Sequence, residues 1–412
     1  MFRRWRPTCA RPASWCVRWP ANPRSMALCG SASARWSRCS ASGRCMSPWR
    51  HRPRFPEGWS TMNERSPQSR PRLLVLCTGG TIAGAGASSC DLETYSAGVH
   101  SGEQLLAALP EARAVAELTV EQIANIDSAD MSHALWFRLL QRIDAAFRAD
   151  PDLTGVVITH GTNTLEETAY WLHLALAHAR PVVLVGAMRP ATALSADGPL
   201  NLLQALQLAV DPQAVGRGVL VVMDGVIHGA REVTKAACAG VGAFRSPGHG
   251  RLGTVDGEGV RFTRTPSHRH TVASALAVRG ASLEAWPELK AWPSVEIFYG
   301  YVQPSATWLA CLLESGVDAL VVAGTGAGQL SCFERDALEE ACRQRQQAGQ
   351  ASPLIVRSSR TGNGRVSARK DDASLGVLAA DDLSPQKARV LVLLALLQRI
   401  DRGRIAELLL TH

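Results

Sequence analysis

From Leu73 onward, short apolar runs alternate with amphipathic stretches of helical length, and the first four apolar runs end on glycine or small polar residues. LLVLCTGG (73–80), LTGVVITHG (153–161), PVVLVGA (181–187) and GRGVLVVMDG (216–225) have strand length and no polar face. That is the pattern of parallel strands covered on both sides. TLEETAYWLHLALAHA follows the second run as a helix, and DGPLNLLQALQLAV (197–210) follows the third, opening on Asp197 as a cap. An α/β fold with mainly parallel sheets is expected, with its ligand site at the C-terminal ends of the strands.

A second α/β unit is expected further on. VEIFYGYV (295–302), ALVVAGTGAG and PLIVRSSR read as strands, while ATWLACLLESG, CFERDALEEACRQRQQAG and SPQKARVLVLLALLQR read as helices. The last helix begins with Ser384 as N-cap and Pro385 at the first helical position. The chain therefore divides into a larger N-terminal domain at 72–264, a Pro- and His-containing linker at 265–294 and a smaller C-terminal domain at 295–412.

The net charge of +8 is misleading about partners. Residues 1–61 hold twelve arginines and one acid, or +11, so the remaining 351 residues carry −3. That leader also has six of the eleven tryptophans and no helical or alternating period. It reads as a disordered or non-native extension, with the protein proper beginning at Met62; an Arg- and Ser-rich, acid-poor organellar transit peptide is the alternative, which the density of tryptophan and cysteine fits poorly. The rest of the chain has no basic nucleic-acid footprint and no apolar run long enough to span a membrane. Its six cysteines, from Cys77 to Cys342, form no CxxC pair and no metal-ligand spacing, as in a reduced cytoplasmic protein. No metal and no cofactor is expected.

Three segments carry candidate chemistry. TGGTIAG (78–84) puts Thr81 after two glycines that let backbone approach a ligand. THGTNTLEETA (159–169) offers Thr164 and Glu167 as a capping box, which leaves Thr162 free to face a crevice. GAREVTK (229–235) ends on Lys235. A hydroxyl is a weak nucleophile until a base takes its proton, and a neutral lysine can be that base. Two threonines and a lysine at strand ends are compatible with acyl transfer, although a lone lysine is usually a solvated one. GTGAG (324–328) is too short a signal for a dinucleotide site.

These segments, together with VVLVGAMRP, LSADGPLNL and LSPQKARVLVLLAL, resemble the bacterial L-asparaginase/glutaminase family from Leu73 to about Arg404. The resemblance implies Thr81 as nucleophile, Tyr95 (in ETYSAG) as its hydrogen-bonding partner, and Thr162 with Lys235 as the pair that activates and orients hydrolysis. It implies that Ser128 (in NIDSADM) holds the substrate α-carboxylate, and that backbone N–H groups near Thr162 and Ala187 stabilise the oxyanion. It further implies a small-molecule amide substrate and a homotetramer, a dimer of dimers, with sites at subunit interfaces.

The chain departs from the family pattern at three places. Asn163 replaces an aspartate that pairs with the substrate ammonium, Ala327 in AGTGAGQ replaces an asparagine, and Arg369 with Lys370 stand where an acid is usual. Conversion of asparagine to aspartate and ammonia is the expected reaction. The same chemistry on an amide lacking the α-ammonium, and a non-catalytic binding homologue, stay open as alternatives.

Overall fold

The computed structural model describes residues 70–279, 283, 292–349 and 351–412. The 1–61 extension and the Met62 start lie outside the described residues, as does most of the stretch 280–291 of the expected linker. The larger sheet uses β1 (Arg72–Gly79), β2 (Glu117–Ile126), β3 (Leu153–Thr159), β4 (Val182–Val185), β5 (Val219–Met223) and β6 (Val226–Gly229). A two-stranded ribbon follows, β7 (Thr234–Lys235) with β8 (Phe244–Arg245), before β9 (Gly253–Asp256) and β10 (Gly259–Phe262) complete the larger sheet. Its order is β10-β9-β6-β5-β4-β3-β1-β2. The five strands from β2 to β5 run parallel, and β6, β9 and β10 are added antiparallel at one side. The smaller sheet, β11 (Val295–Tyr299), β12 (Ala319–Gly324), β13 (Leu354–Ser359) and β14 (Val377–Ala379), is parallel throughout.

The apolar runs form strands because a period of two sends neighbouring side chains to opposite faces, and both faces here are buried. In β1, Leu74 and Leu76 enter one core while Leu73, Val75 and Cys77 enter the other. Val182 and Leu184 against Val183 and Val185 repeat the division in β4. Strand order reverses beside β1, which has β2 on one side and β3 on the other. Such a reversal opens a crevice at the strand C-termini, and the loops carrying Thr81 and Thr162 leave from it.

The principal helices are α1 (His133–Ala149), α2 (Leu165–Ala175), α3 (Gly198–Val210), α4 (Ala306–Glu314), α5 (Cys332–Gln347), α6 (Pro385–Leu397) and α7 (Arg402–Thr411). Ser384 caps α6 through the Lys387 N–H, with Pro385 in the first turn, as expected. Residues Val390–Ala395 of α6 are fully buried. The helix packs on the smaller sheet and on α2, so one core is shared by the two sheets.

One local expectation needs correction. Asp197 stands at the start of α3 without capping it; its carboxylate instead accepts the Met188 and Arg189 N–H groups, 2.9 Å each, and folds the preceding loop back. The end of the larger domain holds the β9–β10 hairpin.

Candidate active site

Gly79 and Gly80 leave β1 with φ of 97° and 78°, a region L-side chains rarely adopt. A Cβ on Gly80 would lie 2.2 Å from Gly161 Cα, and one on Gly161 would lie 2.6 Å from Ser128 Oγ. The loops after β1, β2 and β3 thus touch backbone to backbone because two of them offer only hydrogen at the contact. Each glycine immediately precedes a threonine. Thr81, Thr162 and Ser128 are consequently gathered in one place and nearly buried.

Two hydroxyl pairs result. Thr81 Oγ1 is 2.7 Å from Tyr95 Oη, which arrives on the loop that turns back through the Ala85–Ser96 bridge. Lys235 Nζ donates to Thr162 Oγ1 at 2.9 Å and to Asn163 Oδ1 at 2.8 Å. Burial pushes the Lys235 pKa down, while negative charge at Cys238 and at Asp127 works against that shift. The lowering brings the neutral, base-competent amine closer to reach.

Asn163 has a second partner, unforeseen from the sequence. Its Nδ2 donates to Asp127 Oδ1 at 3.0 Å, and that oxygen also accepts the Ala129 N–H at 2.8 Å. The lysine therefore keeps an anion nearby, one amide group further away. Ser128 Oγ accepts the N–H groups of Asn163 and Thr164, at 3.0 and 3.4 Å. The expected Thr164–Glu167 capping box is absent: no side chain caps α2, and the Thr164 hydroxyl donates to the Ser128 carbonyl at 2.7 Å. It ties the β2 and β3 loops together instead.

The residues behind the site are mostly unsignalled. Buried Glu166 accepts the Lys235 backbone N–H at 3.1 Å and the Gln386 side chain at 2.7 Å, linking β7, α2 and α6. Lys387, fully enclosed, donates to the carbonyls of Ala230, Arg231 and Val233, the turn that leads to Lys235. Trp136 Nε1 donates to Thr168 Oγ1 at 2.8 Å, and the Thr168 hydroxyl lies 2.9 Å from His160 Nε2. The Gly161 carbonyl, 2.7 Å from His160 Nδ1, can only accept, so Nδ1 carries the proton and Nε2 of the neutral ring accepts from Thr168. Burial lowers its pKa to about 4, so the ring is neutral and structural. The one signal for Glu166 was a pair of adjacent acids where one suffices for the helix dipole.

Ala187 is fully buried in the loop after β4. That loop abuts Thr162, since a Cβ on Gly186 would lie 3.1 Å from Thr162 Cγ2. Asn201 holds its Gly186 carbonyl at 3.1 Å. Among the described residues no group of three or more His, Cys, Asp or Glu is placed to hold a metal ion.

Comparison with known proteins decides the family. Residues 72–268 match the model for asparaginase, N-terminal, and residues 294–409 match the glutaminase/asparaginase C-terminal domain. The chain belongs to the asparaginase family. It is 42% identical to a probable periplasmic L-asparaginase of Haemophilus influenzae, over 80% of this chain and 90% of that one. Identity to L-asparaginase 2 of Escherichia coli is 40%, over 82% and 92%. A glutaminase-asparaginase of Pseudomonas fluorescens shares 38%, over 86% and 94%. The crystal structure of a probable cytoplasmic L-asparaginase from Campylobacter jejuni superposes with a TM-score of 0.77 at 40% identity, covering 83% of this chain and all of that one.

The asparaginase-family departures fall into two groups. Asn163 lies within the hydroxyl–lysine cluster. Ala327 and Arg369 lie in the smaller domain, where Ala327 offers its carbonyl to Arg357 and the Arg369 side chain reaches Gln329. Among the described residues, neither makes a hydrogen bond to the Thr81–Lys235 cluster.

Proposed function

We infer that this chain is an asparaginase-type amidohydrolase that converts L-asparagine to L-aspartate and ammonia through a threonine acyl-enzyme. The observation that carries this reading is the meeting of two hydroxyl pairs, Thr81–Tyr95 and Thr162–Lys235, at the Gly80–Gly161 contact. Thr81 Oγ attacks the side-chain amide carbon, and its proton ends on the departing nitrogen as ammonia leaves. Water then attacks the Thr81 ester, with Thr162 and Lys235 relaying the proton, and the carboxylate is released. Tyr95 holds the Thr81 hydroxyl in line. The backbone N–H groups near Thr162 and Ala187 meet the developing oxyanion, a contribution of about 3–4 kcal/mol per donor in comparable sites.

Ser128 suits the substrate carboxylate. Its oxygen already accepts two N–H groups, so its own O–H is the group left to donate. The altered charge at Asn163 favours keeping a second reading, the same chemistry on an amide without an α-ammonium. Ammonia release from L-asparagine, L-glutamine and succinamate separates the two. The main reading requires the highest kcat/KM on asparagine, and Thr81→Ala should lower it on the order of 10⁴-fold or more. Thr81→Ala with full activity would sink the acyl-enzyme.

The assembly is proposed to be a homotetramer, a dimer of dimers, which light scattering on the purified protein checks directly. The six cysteines from Cys77 on are free thiols, which supports a reducing, cytoplasmic setting. Cell fractionation tests it against the periplasmic placement in the name of the Haemophilus relative.

A further inference from the structure

We propose that Asp127 is a specificity-determining residue that reads the α-ammonium group of the substrate. This rests on the amidohydrolase reading of the same site. Asp127 and Ser128 are consecutive on one short turn, Ser128–Asp130, at the end of β2. Ser128 Oγ has one O–H to give, and Asp127 has a charge to pair. Such neighbours form a two-pronged reader for a zwitterion, the hydroxyl taking its carboxylate and the carboxylate its ammonium.

Three observations set Asp127 apart from an ordinary cap. First, its hydrogen bonds to the Ala129 N–H and to Asn163 Nδ2 both fall on Oδ1. Oδ2 has no hydrogen-bond partner among the described residues, and the nearby Lys235 is joined to this carboxylate only through the Asn163 amide, with no direct ion pair. Second, the bond to Nδ2 fixes the Asn163 amide, whose Oδ1 then faces Lys235. Asp127 is thereby connected through one side chain to the Lys235–Thr162 pair. Third, the turn that holds it also holds Ser128 against the Asn163 and Thr164 N–H groups, so the carboxylate is preorganised relative to Thr162. An exposed anion with one free oxygen, rigidly mounted beside a hydroxyl donor, is built to meet a cation that arrives with the ligand.

Calorimetric titration of the full-length protein with L-aspartate and with succinate, which differ only by the ammonium group, tests the assignment without needing turnover. Asp127→Asn keeps the cap, since asparagine caps as well as aspartate, and removes the charge. It is expected to weaken L-aspartate by about tenfold to a hundredfold, the range of one charge-assisted hydrogen bond, and to leave succinate within about twofold. Asp127→Glu, which keeps the charge, is expected to retain the preference for L-aspartate. Equal loss of both ligands in Asp127→Asn, or unchanged L-aspartate binding, overturns the proposal. Binding that depends on Asp127 in a protein that releases no ammonia from any amide overturns the amidohydrolase reading and leaves this one standing.

Discussion

At the residue scale, Asn163 is a neutral amide set between a cation and an anion. Its oxygen accepts a hydrogen bond from Lys235 and its nitrogen donates one to Asp127. Asn163→Asp would put a carboxylate against the lysine, favouring the ammonium and raising its pKa. If the neutral amine does the work, activity must then be lost on the acid side. The rising limb of the kcat–pH profile should move up by about one unit or more, which steady-state assays across pH would record. An unmoved limb would mean that Lys235 acts as a fixed cation. Lys235→Met should lower kcat by about 10²–10⁴-fold with little change in melting temperature. Measuring both separates chemistry from folding.

At the scale of elements, α6 joins architecture to chemistry. Its middle is fully buried between the smaller sheet and α2, while its first turn delivers Gln386 to Glu166 and Lys387 to the turn before Lys235. Leu391→Ala should cost about 2–5 kcal/mol, as for other buried leucines, seen as a lower denaturation midpoint. Lys387→Met leaves three carbonyls without their donor, so it should lower kcat as well as stability; a loss of stability alone would contradict the link to Lys235. Much of this scale was legible in the sequence. β1, β3, β4 and β5 announce themselves because both faces are buried, and Ser384–Pro385 announces α6. The edge strand β2 does not, because ELTVEQIANI mixes exposed polar and half-buried apolar positions. THGTNTLEETA was legible in its threonines but not in its cap, since a hydroxyl at 164 obeys the nearest acceptor in space, the Ser128 carbonyl. Glu166 and Asp127 were hidden for the same reason: their partners lie 69 and 36 residues away.

At the scale of the whole molecule, buried histidines set the response to acid. Burial pushes His160, His228 and His412 down to about 4 and His173 well below its ordinary value, and half-buried His133, partly desolvated and near Arg389, also falls to about 4. An unfolded histidine titrates near pH 6.5. As pH falls from about 6.5 toward about 4, the unfolded chain takes up protons that the native state refuses, so stability present above that window is lost within it. Unfolding at about pH 5.5 should therefore take up several protons, and at about pH 8 these groups should contribute almost none. A denaturation midpoint that is flat between those values would contradict the burial of these rings. The central claim, however, concerns Thr81, on which folding, charge and geometry converge. Rapid-quench mass spectrometry during turnover of L-asparagine tests it most directly. An acyl adduct, asparagine less ammonia, should appear on the peptide containing Thr81; an adduct on the Thr162 peptide instead would contradict the account.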